Sequence, residues 1–557
     1  MNNRRDILKM MSGYGGARML AGSGATSILH MMVQGYFSKL YAQSQRVQPR
    51  KFIDMNVLGG FASHYCYLPL KPRTSDSFAA NGWVATRWNS GGAVYETLPV
   101  TSGSTTIQMP PVWGVGIPKA TARGAGLTDS SAVFQKSIFM RGLWNAFDSH
   151  GFGWLHKSRP SPSALSIGGV VADAADPIAS PLTAIGINPF DTSGYAAKKI
   201  AQKIINTGGD RISAIVNPVI ADTNMRNLLS TRDGFSQQFN AALEAVASDV
   251  RGIREGADNI LASVASAESL LRRNFGNLTD RWNSLLAKYR QIMRDSRDIT
   301  GVIPNAINPA AGSLLRRVEG DDTNFQYATA PDLRQIFTPT SEVQWMAENF
   351  ATLEFLMEEN LSHMVSCDII SVVGLNVVNE MINGGIVTAG PLVTSHGLDQ
   401  HVSGSGFALA VNTFYSRALI ACMNEFVLRM TELGKMDDLL IRVSSEFTRA
   451  PRNTGTGSDH GWQANCFWLV SGGIHQPQVV GNIIRNSPDV NRSGTWGYGG
   501  LVNHEGSPIR INMGHAVSSV AAALRVTSPV DNFLPILRDD TTSGIISTVG
   551  EGTTGET

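Results

Sequence analysis

Short apolar runs bounded by Gly, Pro, Asn or Asp alternate along this chain with longer stretches of helical spacing, and the two periods together predict an α/β core. Lys51–Val57 is β-prone and ends in Leu58-Gly59-Gly60, the pattern of a first core strand opening into a loop at a sheet edge, where open α/β sheets hold their ligands. Ser137–Met140, Ile212–Val219, Ile369–Val373, Leu439–Val443 and Cys466–Val470 are the further strand candidates. Ser341–Val365 and Phe407–Leu433 have helical spacing, and Ser341-x-x-Gln344 forms a capping box for the first of them. Strands alternating with helices in the C-terminal half predict a largely parallel central sheet flanked by helices.

Between 224 and 300 the pattern changes. No Pro occurs between Val219 and Ile303, and Leu243, Val250, Ala257, Val264, Leu271, Leu278, Leu285 and Ile292 recur at heptad spacing. Phe239, Val246, Ile253, Ile260 and Ala267 fill the second apolar row. That row fails at Asn274 and Arg281, where Phe275 and Trp282 shift the face, so Phe239 to Met293 is expected to be helical with a bend at Asn274–Gly276. A helical, coiled-coil-like insertion that packs on the core or on itself is the leading expectation, and an oligomerisation arm that makes a homo-oligomer is the other. The expected organisation is 1–44 as an export signal, 45–222 and 303–538 as two parts of one core, 223–302 as the insertion and 539–557 as a flexible tail.

A chain of 557 residues with 43% apolar and 16% charged side chains suits a large globular protein rather than a disordered one. Its 46 basic and 45 acidic residues nearly cancel, which leaves no field to attract nucleic acid. Cys66, Cys367, Cys422 and Cys466 are far apart and form no CxxC pair, so they read chiefly as small buried residues, with one or two disulfides open after export. Asn3-Arg4-Arg5-Asp6-Ile7-Leu8-Lys9 resembles a twin-arginine export motif, followed by a weakly apolar stretch and a small-x-small site at Ala42-Gln43-Ser44. Those features point to the periplasm or exterior, with no transmembrane span in the mature chain.

Two segments carry the candidate chemistry. Ser444-Ser445-Glu446-Phe447-Thr448-Arg449-Ala450-Pro451 follows a strand, and Gly457-Ser458-Asp459-His460-Gly461-Trp462 presents a carboxylate and an imidazole from one Gly-flanked loop, as metal sites require. Together with Leu58-Gly59-Gly60, the arginine motif and Val470-Ser471-Gly472-Gly473-Ile474, they resemble the exported bacterial family called domain of unknown function 1501. That family is similar in turn to the alkaline phosphatase and sulfatase superfamily. The resemblance runs over roughly residues 50–220 and 340–525 and is strongest between Ser444 and Gly473.

What the resemblance implies is an alkaline-phosphatase-like core and a two-metal ester hydrolase. Asp459 and His460 match its Asp-His metal pair. Asp399-Gln400-His401 matches an upstream metal loop, whereas aligning Thr394-Ser395-His396 there makes His396 the ligand and loses the carboxylate. Ser149 with His150, in Phe147-Asp148-Ser149-His150-Gly151-Phe152, is the first choice for nucleophile, with Ser166 second. Where the family reads Gly-Gly-x-Asp this chain reads Gly59-Gly60-Phe61-Ala62, so a ligand is missing and only Asp54 and His64 stand near enough to replace it. Glu446 and Arg449 are expected to form an ion pair that braces the loop. His64, His150, His156, His396, His401 and His460 are expected at one sheet edge, with His396 or His401 converging with Asp459 and His460 on the loop after Gly60. One divalent ion, zinc, calcium or manganese, and no nucleotide cofactor is the expected complement. The function expected is a phosphatase- or sulfatase-like scaffold for binding or assembly with an envelope or extracellular partner, the alternative being an active metal-dependent hydrolase of phosphate or sulfate esters.

Overall fold

The computed structural model describes residues 49–70, 86–89, 92–145, 149–161, 165–175, 182–187, 195–198, 275–303, 326–327, 341–370, 387–388, 405–450, 459–462, 465–484, 498–530 and 532–549. Nine of the strands matter to the site: β1 (Lys51–Val57), β2 (Ser137–Leu143), β3 (Leu182–Ile187), β4 (Ser362–Ile370), β5 (Leu439–Ser444), β6 (Thr448–Ala450), β7 (Asp459–Trp462), β8 (Asn465–Ser471) and β9 (Gln478–Val480). All but β6 and β7 form one sheet in the order β9-β2-β8-β5-β1-β4-β3. Within it β8 alone runs antiparallel to its neighbours, so the sheet is mostly parallel as expected.

Strands covered on both faces read as continuous apolar runs rather than alternating ones. That is why β1, β2, β5 and β8 begin within a residue of their expected positions. Ile53, Met55 and Val57 of β1 face a core shared with α3 (Phe275–Asp295), α4 (Ser341–Glu358) and α5 (Ser405–Glu432). Phe52 faces the opposite core, built with α2 (Ile167–Ala174) and α6 (Met513–Ala523). Helix, sheet and helix therefore make three layers.

Strand β4 corrects the expected boundaries. Ser362–Val365 are its first residues, not the end of a helix, and the strand expected from Ile369 is already under way there, residues 371–373 lying outside those described. The preceding helix α4 ends because Asn360 adopts φ 53°, with Leu361 N–H bonded to Leu356 O at 2.9 Å and Asn360 N–H to Met357 O at 3.3 Å. Those two bonds and a left-handed Asn make a Schellman stop. Lys435 Nζ reinforces it by donating to the Met357 and Glu358 carbonyls, where a cation also suits the helix dipole. The Ser341–Gln344 cap falls on residues whose side chains lie outside those described.

Helix α3 is the described part of the proposed insertion. Trp282, Leu285, Leu286, Tyr289, Ile292 and Met293 are buried in the core shared with α4 and α5. Their spacing is an ordinary amphipathic stripe, and this stretch packs on the core. Gly276 lies inside α3, while Asn274 and the rest of the heptad series lie outside the described residues, as do Ile212–Val219.

A correction also applies to the tail expected from Asp539. Leu537–Asp540 and Ile545–Thr548 form a hairpin, and Asp539 pairs with Arg50 at 2.6 Å and with Arg525 at 2.6 Å. Arg50 is 1% exposed and also donates to Ala523 O and Gly544 O, tying that hairpin to the start of β1. Among the described residues no helix is long and apolar enough to cross a membrane.

Candidate functional site

The loop after β1 is shaped by two glycines in left-handed conformation, Gly59 at φ 100° and Gly60 at φ 66°. A Cβ on Gly60 would lie 2.0 Å from the Phe447 ring, so the backbone here is in direct contact with the loop after β5. Both glycine N–H groups donate to Glu446 Oε1 at 2.9 Å. His150 Nδ1 reaches the same oxygen at 2.6 Å, and Ser445 Oγ donates to Oε2 at 2.9 Å. The frame is held by further bonds: Phe61 N–H to Ser445 Oγ, Asn145 Nδ2 to the Glu446 carbonyl and Asn465 Nδ2 to the Ser445 carbonyl.

Glu446 is 1% exposed. Burial pushes its carboxyl upward, but the His150 bond and charge, with the Ser445 hydroxyl, overcome that and hold it below the ordinary value. It is therefore an ionised carboxylate with donors on both oxygens. The Nδ1 contact with this carboxylate fixes the orientation of the His150 ring. His150 is the first residue of α1 (His150–Ser158), with Ser149 as the N-cap residue whose side chain makes no cap bond. Gly153 brings this helix close, since a Cβ there would lie 2.7 Å from the Glu446 carbonyl oxygen.

Beneath the loop lies a buried polar cluster. Arg442 grips Asp54 through Nε at 2.9 Å and Nη2 at 2.7 Å, and its guanidinium lies over the Phe52 and Phe467 rings. Lys157, 0% exposed, donates to Asn56 Oδ1 at 2.5 Å and Ser444 Oγ at 3.0 Å. Burial pushes its ammonium down to about 8 against the pull of Asp54. Asn56 in turn donates to Asp368 Oδ1 at 3.0 Å at the end of β4.

Several expectations change here. Asp54 does not replace the ligand missing at Ala62, because both of its oxygens are taken by Arg442. His64 is 1% exposed in the turn Ser63–Tyr65, its ring 4.1 Å from that of Tyr65, and burial pushes it down to about 3. Ser166 is the N-cap of α2, accepting from Gly169 N–H and Ala196 N–H, which gives its hydroxyl a structural task instead of a nucleophile's. Glu446 and Arg449 do brace the loop, but through its backbone: Glu446 takes the glycine amides and Arg449 Nε donates to Gly59 O at 2.8 Å, the ion pair of Glu446 being with His150. His156 Nδ1 contacts Asn145 Oδ1 at 3.1 Å, tying α1 to the end of β2. All four cysteines are buried and unbridged.

Asp459 and His460 open β7, a short strand instead of a loop, whose Asp459 stands opposite Ala450 and whose Trp462 stands opposite Thr448 of β6. Thr448 Oγ1 contacts Ser63 Oγ at 3.0 Å, so this hairpin is rooted at the edge that carries Gly59 and Gly60. The side chains of Asp459 and His460, and the whole of His396, Asp399 and His401, lie outside the described residues. Among the described residues no group of three His, Cys, Asp or Glu side chains could hold a metal ion. Glu446 and Asp54 do not fit a two-metal centre, because hydrogen-bond donors occupy both oxygens of each. Sequence reasoning had singled out Ser149, His150 and Glu446 without joining His150 to Glu446, and it had passed over Lys157, for which an isolated Lys in a short helix gives no signal.

No curated protein and no solved structure matches the chain. Residues 393–494, which include His396, Asp399, His401, Glu446, Asp459 and His460, match the family model described as Protein of unknown function (DUF1501), and that match supports the resemblance to this family read from the motifs.

Proposed function

We propose that this chain is an exported protein that uses a phosphatase- and sulfatase-like architecture as a binding or assembly scaffold in the cell envelope or exterior, with ester hydrolysis slow or absent. The observation that carries this reading is the Glu446 carboxylate bonded to the Gly59 and Gly60 amides, at the sheet edge where such folds take their ligands. An oxyanion-stabilising loop works through donors kept ready for charge that develops in a transition state, and these donors already hold a resident charge. Ala62 and the commitment of Asp54 to Arg442 point the same way.

One observation favours the alternative, an active metal-dependent hydrolase: the hairpin bearing Asp459 and His460 is rooted two residues beyond Glu446. The experiment that separates the readings is metal content together with phosphatase and sulfatase turnover of the purified protein, beside an Asp459→Ala variant. At most one tightly bound ion and little turnover in either form is the expected result. Two tightly bound ions and turnover that disappears in Asp459→Ala would overturn the scaffold reading.

A further inference from the structure

Successive backbone N–H groups in a turn can point into one concavity and form an anion site. In this chain the site is complete. Gly59 N, Gly60 N and His150 Nδ1 converge on a single oxygen at 2.9, 2.9 and 2.6 Å, while the Ser445 hydroxyl, held by Phe61 N–H at 2.8 Å, serves the second oxygen. Three donors on one oxygen and one on its mate describe a planar, two-oxygen occupant. A tetrahedral dianion would bring further oxygens toward the Phe447 ring, which lies against Gly60 and 5.0 Å from the His150 ring. Burying those oxygens without donors costs more than the extra charge returns.

From this geometry we infer that the Gly59–Gly60 loop is a carboxylate-binding site whose resident ligand is the chain's own Glu446, and that a free small carboxylate takes the site when that side chain is removed. Each of its donors has an anchor besides the Glu446 carboxylate. The glycine φ values are set by the turn after β1, Ser445 by Phe61 N–H, and His150 by the start of α1. His150, with a side chain of 22% exposure, is the least buried of the groups around this carboxylate. The inference rests on the scaffold reading, for which it names the chemistry the edge recognises: a binding partner would offer a carboxylate in competition with Glu446.

The test uses the full chain in EDTA with formate, acetate, inorganic phosphate, sulfate and chloride at equal ionic strength, reading the thermal midpoint of the wild type, Glu446→Ala and Glu446→Gln. Formate and acetate should raise the Glu446→Ala midpoint saturably, by roughly 2 °C at ten times the dissociation constant. Phosphate, sulfate and chloride should not, and neither the wild type nor Glu446→Gln, whose sites stay filled, should respond. A double variant Glu446→Ala, His150→Ala should lose most of the effect. Should Glu446→Ala fail to fold in chloride, the amount of folded protein recovered in formate becomes the readout. Equal responses of Glu446→Ala and wild type, preference for phosphate, or no recovery in formate would each overturn the inference. No ester or metal is present, so hydrolase activity of the wild type would sink the scaffold reading without touching this result.

Discussion

His64 sits in the turn that follows the Gly59–Gly60 loop, and its environment makes a direct statement about pH. Its folded value is pushed from an ordinary 6.5 to about 3 by burial, so the unfolded chain binds the proton first. The stability contributed by the neutral ring is complete above pH 6.5 and is lost as pH falls from there toward 3. His156 and His515, also lowered by burial, act in the same sense, whereas Asp54 and Glu446 begin to matter only in the carboxylate range. Urea midpoints measured from pH 7.5 to 4.5 should therefore fall early in the wild type, and His64→Gln should delay that fall toward the carboxylate range. Parallel curves for the two proteins would refute the assignment. Individual residues at this edge were legible as chemistry-bearing types: Ser149, His150, Glu446 and Asp459 all stand in motifs. Their pairings were not, because His150 and Glu446 are 296 positions apart and become neighbours only through the strand order β2-β8-β5-β1. Asp54 shows the converse: a carboxylate beside a missing ligand looked like its replacement until Arg442, one strand over in register, claimed it.

Among the secondary-structure elements, the interior strands β1, β2, β5 and β8 were readable because burial on both faces leaves an uninterrupted apolar run. Short edge strands such as β9, and the start of β4, were not, since the helix stop at Asn360 depends on one non-glycine residue with positive φ. Heptad spacing marked α3 as a helix, and where it can be seen its stripe meets two core helices, the leading expectation for this stretch, instead of a coiled-coil partner. Its polar flank is equally specific. Lys288 Nζ lies 2.6 Å from Glu354 Oε2 and 3.4 Å from Glu425 Oε1, Tyr289 OH donates to Glu354 at 2.5 Å, and Arg281 pairs with Glu358 at 2.6 Å. Glu354 is 1% exposed, and burial raises its carboxyl despite Lys288. Lys288→Met leaves that carboxylate without its cation, a change that costs on the order of 3 kcal/mol when a buried pair is broken. Because a raised folded value means that the native state takes up its proton first, the loss should be greatest at pH 7 and shrink toward pH 5. Urea unfolding of Lys288→Met at both pH values checks the size and the direction, and an unchanged midpoint at pH 7 would mean the pair does not clasp α3.

For the whole molecule, the four cysteines bear on the proposed export. Each is buried and unbridged, and burial raises the thiols of Cys66 (to about 12), Cys422 and Cys466, which suppresses the thiolate that oxidation and disulfide exchange require. A chain that folds before export carries its thiols across already protected, whereas one that crosses unfolded exposes all four where disulfides form readily. Protected thiols are compatible with the proposed twin-arginine route, whose motif is Arg4-Arg5. Replacing Arg4 and Arg5 together with Lys should leave the protein in the cytoplasm, and the exported wild type should show four thiols that react with a maleimide only after denaturation. Rerouting the chain through a signal that exports unfolded proteins should yield fewer than four thiols and less soluble protein. Normal export of the double Lys variant would refute the twin-arginine route, and disulfides in the exported wild type would refute folding ahead of export, because a thiol sealed in the core cannot find a partner after the sheet has closed over it.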